Sequence, residues 1–127
     1  LLTLYHGVKI TDNGFTDFGE VYFSSVKKDK IKAWKLHKEM TLNLFVPIGS
    51  AQFCFIDSRE KSKTYNEKFG IILSQNPYLR LTVPPGLWFG FKGISKGLNF
   101  ICNVADIPHD PDEVLRKELN EIEWSLV

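Results

Sequence analysis

Methionine occurs once in these 127 residues, cysteine twice and histidine three times. Each scarcity excludes something. Two cysteines are too few for the disulfide framework of a small secreted domain. Both Cys54 and Cys102 sit inside apolar runs and read as buried, reduced thiols. Two of the histidines, His6 and His109, lie in turn-like contexts, so no cluster with metal-ligand spacing forms and no metal is expected. No apolar run approaches the ~18 residues of a membrane span. No charged segment followed by an apolar core opens the sequence, so a cytoplasmic location is the expectation. Neither sign of charge dominates: the formal net charge is +1, which gives no reason to expect a nucleic-acid partner. Gly-rich phosphate loops, nucleophile elbows, internal repeats and linkers are all missing.

What the chain has in quantity is aromatic residues: ten Phe, four Tyr and three Trp. Rings favour pleated, half-buried surfaces. With 43% hydrophobic and 24% charged residues, the composition is that of a globular, β-rich chain. Residues 31–37 alternate apolar and polar, the signal of a half-buried strand. Residues 41–48 and 51–57 are β-prone runs joined across Gly49-Ser50, which predicts a hairpin. Residues 19–23, 69–73, 78–83, 88–91 and 98–105 add further strands. Turns fall at Asp12-Asn13-Gly14, at 74–77 and at Pro84-Pro85-Gly86. Residues 1–5 form a short apolar segment, and 27–30 and 58–67 read as charged, solvated loops. Eight or nine short strands at such spacing suggest a sandwich or barrel. At the end, Asp110-Pro111-Asp112-Glu113 carries a cap, a Pro and first-turn acids, and predicts a short helical tail over 110–122. The expectation is one domain over 1–127, strand-rich to residue 107.

Three segments together resemble one family. They are Gly49 with Ile56-Asp57-Ser58-Arg59 and Ser62-Lys63-Thr64-Tyr65; Leu73-Ser74-Gln75-Asn76 with the run from Leu81 through Pro84-Pro85-Gly86-Leu87-Trp88-Phe89-Gly90-Phe91; and the strand from Lys32 to His37. The chain is similar over about residues 17–110 to the dTDP-4-dehydrorhamnose 3,5-epimerases, the RmlC-like cupins. The resemblance implies an all-β, double-stranded β-helix (jelly-roll) barrel, usually a homodimer. It implies a nucleotide-linked 4-keto sugar as ligand, no cofactor, and a role in cell-surface polysaccharide biosynthesis such as lipopolysaccharide. It further implies a His–Asp base that removes protons next to the carbonyl, a Lys that stabilises the enolate and a Tyr that returns a proton.

Carried over residue by residue, His37 matches the base. The Lys falls at about Leu42 or Asn43, and Asn43 offers only a neutral hydrogen bond. The Tyr falls near Cys102. A second His falls at Phe89 and an early Arg at Phe18. The usual acid partner of the base comes from further along the chain, and the acids of the tail, Asp112-Glu113 among them, read as helix capping. Arg59 matches an Arg suited to a diphosphate. Arg80, on an alternating strand, is a second substrate-binding candidate, and Trp34 and Trp88 are candidates for stacking on a sugar or base. Metal-binding cupins carry a His-x-His pair and another His after the Pro-x-Gly corner; here His37 stands alone and Phe89 fills the second place. The expected activity is therefore that of an epimerase or isomerase with a reduced catalytic set. The alternative is a non-catalytic sugar- or nucleotide-binding cupin, or the partner subunit of a sugar-modifying enzyme.

Overall fold

The computed structural model describes residues 3–125, so the first two residues of the apolar segment 1–5 lie outside it, and residues 3–5 form no strand. Nine strands are present among the described residues: β1 (Glu20–Ser25), β2 (Ile31–His37), β3 (Leu42–Ile48), β4 (Ala51–Asp57), β5 (Lys68–Leu73), β6 (Leu81–Val83), β7 (Leu87–Gly93), β8 (Phe100–Ala105) and β9 (Val114–Arg116). They build two sheets, ordered β1-β8-β3-β6 and β5-β4-β7-β2-β9, and every pairing is antiparallel. This is the expected all-β jelly roll, with one difference. No ladder joins the two sheets among the described residues, so the fold is a sandwich with open edges rather than a closed barrel.

The aromatic excess has a place in this architecture. Phe53 and Phe55 on β4 stand directly opposite Phe91 and Phe89 on β7. Side chains opposite one another share a face, and these four rings form a ladder between the sheets with centroid spacings of 5.6–6.2 Å. They pack with Met40, Leu42, Leu44, Val46 and Ile101 into the main core. A smaller cluster, Trp34, Leu36, Cys54 and Trp88, lies on the other face of the second sheet, covered by Ile122 and Trp124.

The expected helical tail takes a different form. Asp110 does cap a turn, accepting from the Asp112 N–H, and Pro111 does open it, but the turn is a single 3-10 turn, Pro111–Glu113. The backbone then extends into β9, which pairs with β2, and a second 3-10 turn follows at Leu119–Glu121. The free edge of β2 supplies hydrogen-bond partners that a short solvated helix would lack. No helix of the described residues is long and apolar enough to cross a membrane.

Candidate functional site

A cavity of about 570 Å³ opens between the two sheets. Its walls include Tyr22 from β1, Leu42 and Leu44 from β3, Asn103 from β8 and Phe89 from β7. Strand alternation decides which β2 residues face it. Lys35 lies opposite Phe89 and borders the cavity; His37, two residues on, points between the sheets behind Phe89 and is not itself part of the cavity lining, while Leu36 joins the outer cluster.

His37 is buried, and its ring stacks on Phe89 at 6.0 Å. Its Nδ1 donates to Glu113 Oε2 at 2.6 Å. The other carboxylate oxygen, Oε1, accepts from the backbone N–H groups of Glu39 and Met40 at 3.1 and 2.9 Å. Burial pushes the Glu113 carboxyl up, but these hydrogen bonds, His37's first, outweigh it and hold the group below its ordinary range. Burial, helped by the nearby charges of Lys35 and Arg116, lowers His37 against the opposing pull of Glu113. The pair is therefore a carboxylate and a neutral imidazole near neutral pH. With Nδ1 carrying the hydrogen, Nε2 carries the lone pair. It is the one buried side-chain nitrogen or oxygen among the described residues that has no hydrogen-bond partner. An oriented neutral imidazole with an unspent lone pair is what proton abstraction requires.

Glu113 was legible only as a capping acid. Its turn brings it across 76 positions to His37. Tyr22 carries no distinguishing signal in the sequence either. It stands opposite Asn103 on the cavity side, and burial, offset in part by an Asn103 hydrogen bond, raises its phenol, which stays protonated.

The structure places the other sequence candidates elsewhere. Cys102 is opposite Phe23 and Phe45, out of phase with the cavity residues Ile101 and Asn103, and burial pushes its thiol up to about 11. Asn43 is buried on that same outer face. Its side-chain oxygen accepts from Arg80 and Thr82 and its amide donates to Gly14 O. Arg80 also donates to Asn13 O, so the two residues tie the 12–14 turn onto the first sheet instead of lining the cavity. Arg59 donates twice to Asp57, from Nε and Nη2 at 2.9 Å each. Arg59, against the cost of burial and with help from Ser62 and Thr64, holds the Asp57 carboxyl well below the usual range. Trp88 packs in the outer cluster beneath the Lys117 ammonium, 4.8 Å from its ring. Trp34 borders the cavity, but its indole N–H is shared between the carbonyls of Leu119 and Ile122. Phe18 is exposed, and Phe89 and Leu42 put apolar surface into the cavity. Among the described residues no three His, Cys, Asp or Glu side chains converge as a metal site.

No family model matches the sequence. In sequence, the chain is 26% identical over 112 residues to the spore coat polysaccharide biosynthesis protein SpsL of Bacillus subtilis (strain 168), spanning 88% of this chain and 74% of that one. In structure, it is similar to a dTDP-4-dehydrorhamnose 3,5-epimerase from Elizabethkingia anophelis NUHP1, with a TM-score of 0.74 and 20% identity over 87% of this chain and 63% of that one, a likeness of fold. A dTDP sugar isomerase from Desulfovibrio desulfuricans G20 superposes with a TM-score of 0.85 at 35% identity, covering 89% of this chain and 73% of that one. Sequence and fold agree over most of both molecules, and the chain belongs to the RmlC-like family of cupins, with the dTDP-sugar isomerases and epimerases.

Proposed function

We propose that the protein is a cytoplasmic epimerase or isomerase of a dTDP-linked 4-keto-6-deoxy sugar, acting in cell-surface polysaccharide biosynthesis with His37 as its base. The observation that carries this reading is the unpartnered Nε2 of His37, oriented by Glu113. The C4 carbonyl of such a sugar acidifies the hydrogens on C3 and C5. His37 Nε2 takes one of them, the C–H electron pair becomes a carbon–carbon double bond, and the carbonyl oxygen takes up the negative charge. Tyr22, on the opposite sheet, returns a proton to the other face, and solvent restores both groups.

The test is incubation with dTDP-4-keto-6-deoxyglucose in deuterated water. The expected result is deuterium at C3, at C5 or at both, abolished in His37→Asn. No exchange in the wild type, under conditions where an authentic 3,5-epimerase exchanges, overturns the enzyme reading. A second reading is favoured by the apolar Leu42 and Phe89 in the cavity wall: a non-catalytic sugar- or nucleotide-binding cupin, or the partner subunit of a sugar-modifying enzyme. It expects ligand binding without exchange.

A further inference from the structure

The register of β2 against β7 slips between Lys32 and Lys35. Lys32 pairs with Phe91 and Lys35 with Phe89, so three steps on β2 match two on β7. In a regular strand, residues three apart face opposite ways. The bulge instead turns both lysines toward the face that carries Phe89 and Phe91, and both border the cavity. β9 adds a third cation, because Arg116 stands directly opposite Lys35 in the β2–β9 ladder and borders the same cavity.

Like charges directly opposite one another on neighbouring strands destabilise a sheet. Burial, then Arg116, then Lys32 all push the Lys35 ammonium below its ordinary value, with only Glu113 opposing. None of the three cations forms an ion pair among the described residues. The carboxylates nearest to hand are already used. Glu118 and Glu121 border the cavity, but they cap the Leu119–Glu121 turn, each accepting from the other's backbone N–H. Arg59, the diphosphate candidate of the sequence, is spent on Asp57. Three convergent cations that repel one another, with no carboxylate paired to any of them among the described residues, leave a place for a multivalent anion.

We propose that Lys32, Lys35 and Arg116 form the grip for the diphosphate of a nucleoside-diphosphate ligand at the cavity. The identity of the ligand rests on the function proposed above; the anion site itself does not. Arg116 offers the planar, two-pronged donor set that suits a phosphate, and the lysines supply point charges.

Calorimetry with dTDP, inorganic pyrophosphate and thymidine tests it. Wild type is expected to bind dTDP and pyrophosphate, more weakly as salt rises, and thymidine at least about tenfold less tightly than dTDP. Lys35→Met and Arg116→Met should each weaken dTDP binding about tenfold or more, whereas Lys96→Met should not. Because each change relieves repulsion, both variants should melt no lower than wild type, which separates a lost ligand contact from a damaged fold. Unchanged dTDP affinity in both variants, or a wild type that binds neither dTDP nor pyrophosphate, overturns the proposal. The two readings fail separately. Exchange in wild type with unaltered binding in the variants sinks the grip and leaves the enzyme. A grip as described without exchange sinks the enzyme and leaves the site.

Discussion

A neutral histidine held against a carboxylate makes stability and chemistry depend on pH in the same direction. Burial places the folded value of His37 below the unfolded one of about 6.5. The folded chain therefore binds fewer protons than the unfolded chain. Stability from this site is complete above the unfolded value and is lost as pH falls through the folded one. Glu113, also lowered, contributes in the same sense further into acid. The thermal midpoint should be level near neutrality and decline below about pH 6.5, and the part of the slope due to His37 should vanish in His37→Gln. In Glu113→Gln, His37 loses the partner that raises it, so the acid limb of deuterium exchange should move to lower pH. The rate should fall on the order of 10²–10⁴-fold, because the carboxylate no longer fixes the hydrogen on Nδ1. A measured limb that moves to higher pH would contradict the assignment. Cys102→Ser, on the far face, should leave exchange unchanged. His37 was legible from the sequence because strand alternation and the family likeness meet on it. Glu113 was not, because its partner lies 76 positions away and its local pattern, Asp-Pro-Asp-Glu, is explained in full by turn capping.

At the scale of elements, two local features fix the backbone of the second sheet and of the loop that leaves it. The first is the close approach of β2 and β7 at Gly90, where an added Cβ would stand 2.4 Å from the Ala33 Cβ and 2.8 Å from Lys32 O. Ala33 lies inside the bulge that aims the lysines. Gly90→Ala should force the strands apart, lower stability by about 1–3 kcal/mol in chemical unfolding and weaken dTDP binding through Lys32 and Lys35. The second is the loop after β4, organised around the buried Asp57, which accepts from Arg59, Ser62 and Thr64. Arg59→Ala should cost about 1–2 kcal/mol, because the carboxylate keeps its hydroxyl donors while the guanidinium, 42% exposed, is already partly screened by water. Its dTDP affinity should stay within about threefold of wild type; a larger loss would return Arg59 to the ligand. Most strands were readable from alternation and turn residues, since period-2 patterns and Gly or Pro corners are local signals. The tail was not, because the choice between a short helix and a ninth strand was made by the open edge of β2, which local propensity does not record.

For the whole molecule, the open edges of the sandwich are what remains to be satisfied. Among the described residues β1 pairs only with β8, so its outer edge is a free strand edge. Beside that edge the outer face of the first sheet is apolar: Val21 is 44% and Phe23 58% exposed, and Phe23 stacks on Phe100 at 5.1 Å. An apolar face that continues into a free strand edge, repeated by symmetry on a second copy, can be buried on both molecules by one two-fold axis. We propose that the homodimer implied by the family resemblance forms through β1 and the Phe23 face. Sedimentation should give twice the chain mass for the wild type. Phe23→Asp places a charge on this exposed surface, where it costs the fold little, and brings two like charges together across the axis. It should sediment as a folded monomer with an unchanged far-ultraviolet spectrum. The cavity lies on the inner side of the same sheet, so a monomer that keeps its dTDP affinity would show each chain to bind on its own. One that loses both together would mean that the second copy completes the site. A wild type that sediments as a monomer, or a Phe23→Asp protein that stays dimeric, would move the interface away from this face.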